Sequence, residues 1–267
     1  MKRYLDFYLT SMKIAVLEQF QYRAQNYFYM VGVIVEPTIY LVVWTTIANQ
    51  QGGSLGGYTA GGLAAYYIVW TLVRQMNVVL TPYDWENRIQ HGRLSMELMR
   101  PMHPIHWDVA YFAGWKFVMV FLWIPIAVVL ALIFKPTLNP TWWQVGGFFI
   151  AIWGAYLVRT MMYEMLGLIT LWTTRVSAIF ELFFALELIL SGRFVPMTLL
   201  PAWVQHIAYY LPFQWTFFFP INALVGSPAP LALFTGLGMQ LLWILIGVAV
   251  VKIVWHFGVR RFTSVGN

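Results

Sequence analysis

The chain has 267 residues, 60% of them hydrophobic and only 10% charged, against roughly 25% charge in a soluble domain. This excludes a soluble globular protein and gives a polytopic membrane protein, with residues 1–267 as a single transmembrane domain. The formal charge is +6 with no cysteine, which excludes disulfides, thiolate metal sites and cysteine nucleophiles; the basic residues lie at the ends of apolar segments, so no nucleic-acid partner is expected.

Residues 1–25 carry Lys2, Arg3, Asp6, Lys13, Glu18 and Arg23, with no unbroken apolar core of signal-peptide type. Leu5, Leu9, Met12, Val16 and Phe20 recur every three or four residues and share one helical face. The expected element is an in-plane amphipathic helix on the cytoplasmic membrane surface, in contact with membrane lipids; the alternative is an ordinary cytosolic helix packed on protein.

A transmembrane helix needs about 20 mainly apolar residues. Six such segments are expected, near 28–48, 59–81, 108–134, 142–172, 176–191 and 231–255. The all-α architecture follows from them. The connectors alternate in character. Residues 49–58 are uncharged and glycine-rich, whereas 82–107 carry Arg88, Arg93 and Arg100. Residues 135–141 carry Lys135, the fourth connector Arg175, and the tail Lys252, Arg260 and Arg261. Placing the N-terminus inside puts every basic connector inside and leaves only Lys135 and Arg193 outside. The positive-inside rule then gives a multi-pass membrane protein with both termini cytoplasmic.

Ionisable residues within spans cost a few kcal/mol each when unpaired, so they face protein or water. The candidates are Glu36, Arg74, Arg159, Glu164, Glu181 and Glu187. They either line a substrate path or neutralise one another across neighbouring spans. Arg159 and Glu164 are five residues apart, so they lie on different helical faces and need other partners. Glu36 precedes Pro37, and a proline there frees a backbone carbonyl and bends the helix, as a hinge or as a static bend.

Residues 192–230 are nearly free of charge and broken by Pro196, Pro201, Pro212, Pro220, Pro228 and Pro230. Irregular backbone at membrane depth needs protein or a water cavity to satisfy it. This segment is therefore expected to be a re-entrant pair of short helices on the outer side, the alternative being an ordinary external loop, which its lack of charge disfavours. One helix is expected near Leu199–Leu211, with Pro201 in its first turn. Gly192, Pro196, Pro201 and Pro212 would shape an outer cap.

Within 82–107, the residues Asp84, Glu86, Arg88 and Ile89 suggest a helix leaving the second span. Gly92 suits its C-terminus, where a left-handed residue costs little. Leu94–Met99 forms a second short piece that Pro101 ends.

Here the sequence resembles the membrane subunits of ABC type-2 exporters. The resemblance rests on Ile89-Gln90-His91-Gly92-Arg93-Leu94 followed by Leu98-Met99-Arg100-Pro101. Met99 stands where the family pattern has leucine. An outer pattern adds Ser191-Gly192-Arg193-Phe194-Val195-Pro196, Leu200-Pro201 and Tyr209-Tyr210-Leu211-Pro212. With the N-terminal helix and the six-span layout, the likeness covers nearly the whole chain. It implies a permease that pairs with a second permease subunit, alike or different, on an ABC ATPase dimer. It also implies that 82–107 is a coupling connector, with Arg88, Gly92, Arg93, Leu94, Glu97 and Arg100 at the ATPase. ATP and Mg would bind the partner ATPase, and this chain would bind no cofactor. The resemblance also implies that the membrane is the cell (inner) membrane.

The chain has no Gly-Lys pair and so no P-loop, and no zincin His-Glu-x-x-His. No catalytic or metal residues are assigned, and the chain is not expected to be an enzyme by itself. His103 and His106 have the spacing of one helical face, but Pro104 stands between them; contact to lipid or partner is the reading preferred to a metal site. The expected substrate is apolar or amphipathic. The competing functions are a lipid-modifying membrane enzyme, for which no cluster of nucleophile and acid/base residues is present, and a membrane scaffold that transports nothing.

Overall fold

The computed structural model describes residues 2–173 and 175–262. They form α1 (Lys2–Gln21), α2 (Arg23–Gln50), α3 (Ala60–Met76), α4 (Pro82–Gln90), α5 (Arg93–Leu98) and α6 (Pro104–Phe134). Then follow α7 (Trp142–Leu168), α8 (Ser177–Leu190), α9 (Ala202–Tyr210), α10 (Phe218–Val225) and α11 (Pro230–Gly258). The only sheet among the described residues is a hairpin of β1 (Ser54–Leu55) and β2 (Tyr58–Thr59). Gly56 and Gly57, with φ of 57° and 87°, make its two-residue turn; positive φ at both positions is what such a turn requires.

The protein is an all-α polytopic membrane protein. Among the described residues, three stretches are long and apolar enough to cross a membrane: Pro104–Phe134, Trp142–Leu171 and Pro230–Arg261. The other expected spans fall on α2, α3 and α8. α2 keeps Pro37 in its interior. α3 has 17 residues and α8 only 14. At 1.5 Å per residue, α8 is about 21 Å long, short of a hydrocarbon core of about 30 Å.

The helices differ in what surrounds them. In its most apolar stretch α7 is 56% buried, against 17% for α6 and 11% for α11. α3 is the innermost helix, with Leu63, Ala64, Tyr66, Tyr67, Trp70 and Val73 all removed from the surface. A helix apolar on every side belongs inside a bundle or in lipid; α3 takes the first place. α6 and α11 leave Phe121, Leu132, Leu241 and Leu245 exposed for lipid.

α1 lies along α6. Its buried residues are the small Ser11 and Ala15, and Gly114 of α6 lets the backbones meet: a Cβ there would sit 2.5 Å from the Met12 carbonyl oxygen. The face is thus close-packed by small residues, while Leu5, Leu9 and Phe20 of the apolar stripe stay exposed.

Two boundaries differ from the sequence expectation. The second span was expected to run to 81, but α3 stops at Met76, with Asn77 as its cap. The helix carrying Arg88 is therefore not a continuation of that span. It restarts at Pro82 behind a capping box in which the Asp84 carboxylate accepts from the Thr81 N–H (3.0 Å) and hydroxyl (2.6 Å). Proline at the first helical position costs no hydrogen bond. The outer helix is α9, and Pro201 stands just ahead of it rather than in its first turn.

After α8 the chain reverses at Gly192, which has φ +78°. The Tyr66 hydroxyl donates to the Gly192 carbonyl at 2.9 Å, and a Cβ at 192 would lie 2.7 Å from the Cβ of Phe218. Left-handed backbone costs a non-glycine residue roughly 1–2 kcal/mol, and the overlap adds to it. Gly192→Ala is expected to lower the thermal midpoint of the purified protein by several degrees; an unchanged midpoint would show that the turn relaxes freely.

Candidate functional site

Among the described residues, the ion-paired side chains inside the bundle form two clusters. The first starts where α3 ends early. The last carbonyls of a helix have no partner within it, and a lipid environment supplies none. The N–H groups of Asn77 and Val78 take up the Val73, Arg74 and Gln75 carbonyls, and two buried cations bond the two carbonyls just past the helix end. Arg159 of α7 donates through Nη1 to the Asn77 carbonyl, and Lys116 of α6 donates through Nζ to the Val78 carbonyl at 2.7 Å. Cations at a helix C-terminus also suit the helix dipole. The Asn77 side chain donates to the Thr216 carbonyl at 2.6 Å, tying this break to the segment before α10.

Arg159 is neutralised by Glu187 of α8. Its Nε and Nη2 donate to Oε1 and Oε2 at 2.7 and 3.0 Å. Tyr163, one turn along α7, accepts from Nη2 at 2.5 Å and donates its own hydroxyl to Glu187 Oε2 at 2.9 Å. Glu187 is wholly buried. The Arg159 guanidinium also stacks on Tyr163 (4.4 Å to the ring centre) and on Phe217 (5.7 Å). Arg193 lies 5.8 Å from the same Phe217 ring, so one aromatic ring contacts two guanidinium groups. Arg193 reaches on to Glu36 at 3.8 Å. Glu36 pairs with Arg74 at 2.5 Å and accepts from the Tyr40 hydroxyl at 3.2 Å. The row therefore runs Arg74, Glu36, Arg193, Arg159, Glu187, and draws on α2, α3, α7, α8 and the Gly192 turn.

The second cluster lies under the connector. Arg88 of α4 donates through Nη1 and Nη2 to Asp108 Oδ2 and Oδ1 of α6, at 2.8 and 2.5 Å. Glu97 of α5 approaches Arg88 Nη1 at 3.6 Å. Burial works against the charge on Arg88, but Asp108, then Glu97 and Glu164, more than offset it and hold the guanidinium protonated. Trp85 Nε1 donates to Glu164 Oε2 of α7 at 2.7 Å. Gly167, nearly one turn further, leaves room for the Trp85 ring, which a Cβ there would overlap.

The sequence-predicted residues fall as follows. Glu36, Arg74, Arg159 and Glu187 join the first cluster, and Glu164 joins the second. Glu181 is exposed and accepts from the Tyr83 hydroxyl at 2.7 Å, away from both. In the connector, Arg88 and Leu94 are buried, Arg93 and Arg100 are exposed, and Glu97 is half-buried and turned towards Arg88. Gly92 adopts φ +68°, the left-handed break expected of it, between α4 and α5. Of the outer residues, Gly192 and Pro196 are buried, Pro201 is exposed, and Pro212 precedes a tight turn at Phe213–Trp215. Lys116, Asn77, Asp108 and Trp85 were not singled out from the sequence as site residues. Lys116 had a readable signal, as the one charged residue inside 109–134.

A family model described as ABC-2 family transporter protein matches residues 34–266, nearly everything after α1 and the first part of α2. No curated protein matches the chain.

Proposed function

This chain belongs to the ABC-2 transporter family, and we propose that it is the permease subunit of an ATP-driven exporter for an apolar or amphipathic substrate. It is a multi-pass membrane permease of an ABC transporter. The rest of the reading goes further. Two permease subunits, alike or different, would sit on an ABC ATPase dimer that binds ATP and Mg. The connector of α4 and α5 would face the cytoplasm beside both termini, in the cell's inner membrane. The row from Arg74 to Glu187 would border the substrate path, and the segment from Gly192 to Val225 would cap its outer end.

The observation that carries this reading is the surface of the connector. Met96, Leu98 and Met99 are exposed there, Met99 by 80%, between the exposed cations Arg93 and Arg100. Behind this patch the connector is held by Leu94, Trp85 and the Arg88–Asp108 pair. A flexible apolar patch on a rigid, charged base suits a protein partner. Arg88 and Glu97 then act by holding the connector in shape, and the exposed side chains make the contact.

Met96→Glu with Met99→Glu places two carboxylates in that contact. The double variant is expected to insert normally but to retain at least tenfold less ATPase through purification. Substrate-stimulated ATP hydrolysis by the reconstituted complex should fall with it. Wild-type retention and stimulation would remove the connector as the coupling element.

A further inference from the structure

We propose that the groove between α1, α6, α7 and α11, at the connector end of the bundle, holds an anionic phospholipid. Its phosphodiester would lie against Lys252, His256 and Arg260, and its acyl chains along Leu157, Ile244 and Val248. The groove has a volume of about 660 Å³, inside the roughly 300–1,000 Å³ typical of small-molecule sites. Its walls include Leu157, Met161, Ile244, Val248 and Val251.

Lys252, His256 and Arg260 lie one helical turn apart and all line it, while no Asp or Glu does. Among the described residues, Lys252 and Arg260 have no carboxylate partner, in contrast to Arg88, Arg159 and Arg74. Basic groups at a membrane surface attract anionic lipid, and long basic side chains lay their stems on apolar surface while the charge reaches the headgroups. The groove therefore offers cations above and hydrocarbon below, which is the order of parts in a phospholipid.

The remaining polar groups of the groove are engaged with one another. The Tyr8 hydroxyl and His106 Nδ1 are 2.8 Å apart. His103 packs against Trp255, ring centres 4.1 Å apart. Burial, and then His106, push the His103 imidazole down to about 4, so it is neutral near pH 7. The cationic character of the site therefore comes from α11 and the turn that follows it. The site needs only the groove and a membrane around it, whether or not the chain exports.

The test is lipid retention by the full-length chain, read by native mass spectrometry after titration with equal amounts of phosphatidylglycerol and phosphatidylcholine. The wild type should keep at least tenfold more phosphatidylglycerol. Lys252→Gln with Arg260→Gln should remove most of that preference and leave phosphatidylcholine unchanged. Val248→Trp, which fills the apolar part and keeps every charge, should also cut phosphatidylglycerol retention, while Lys13→Gln, an exposed cation of α1 outside the groove, should not. Excess inorganic phosphate should leave the bound lipid in place. Equal retention of the two lipids by the wild type would overturn the site, as when a protein partner covers the groove. So would a Lys13→Gln loss matching the double variant, full binding by Val248→Trp, or complete displacement by phosphate.

Discussion

Arg159→Ala is expected to lose most of the folded protein, and Arg159→Leu combined with Glu187→Leu is expected to recover part of it, the Asn77 carbonyl remaining without its donor. Glu187 is fully buried and both of its oxygens accept from Arg159. Removing the arginine leaves a carboxylate in an apolar bundle with only the Tyr163 hydroxyl, and also deprives the Asn77 carbonyl at the end of α3. Breaking a buried pair from one side costs roughly 3–5 kcal/mol, whereas replacing both partners by apolar residues is often neutral or better. Against a total stability of about 5–15 kcal/mol, the single change is severe. The readouts are monodisperse yield and thermal midpoint in detergent. A stable Arg159→Ala would show that the pair contributes little. If the double leucine variant folds, its transport then separates the two roles of the pair. Loss of transport supports a place beside the substrate path, and wild-type transport assigns the pair to structure alone.

How far the site was legible in the sequence follows from the range of the interactions. The expectation that Arg159 and Glu164 need separate partners depended only on helical spacing, and each has one. The identity of those partners depended on how α7 meets α8 and α4, which no local pattern encodes. Val78, Val79 and Leu80 continue the apolar run of the second span, so composition carries no signal for a stop at Met76. The stop is stabilised from a distance, by Arg159 and Lys116 on two other helices. Lys116 was lost in the strong apolarity of its own segment. The Gly92 break was legible because a left-handed residue is a local demand. Its consequence was not: the break folds α5 back so that Glu97 meets Arg88 instead of facing out.

Arg88→Ala is expected to leave the chain in the membrane but to disconnect the connector from it. Arg88 ties α4 to α6 through both oxygens of Asp108 and lies against Glu97 of α5. It also stacks on Trp85, 5.2 Å from the ring centre. One side chain thus joins three helices, and its loss strands Asp108, which is 2% exposed, at the same rough cost of 3–5 kcal/mol. That cost is met locally, because Trp85 still bonds Glu164 and still packs over Gly167; the connector loosens and the long helices remain. Trypsin should then cut after Arg93, which Leu94 follows, several-fold faster. In the proposed complex, substrate transported per ATP should fall at least tenfold. Arg88→Lys keeps the charge but loses the two-pronged geometry, so it should fall between wild type and alanine in both measurements. Asp108→Asn tests the same tether from the other side: it removes the charge that offsets Arg88 and should loosen the connector as Arg88→Ala does. Unchanged cleavage and unchanged coupling in Arg88→Ala would mean that Trp85 alone seats the connector, and that the ion pair beneath it does not transmit motion between α4 and α6.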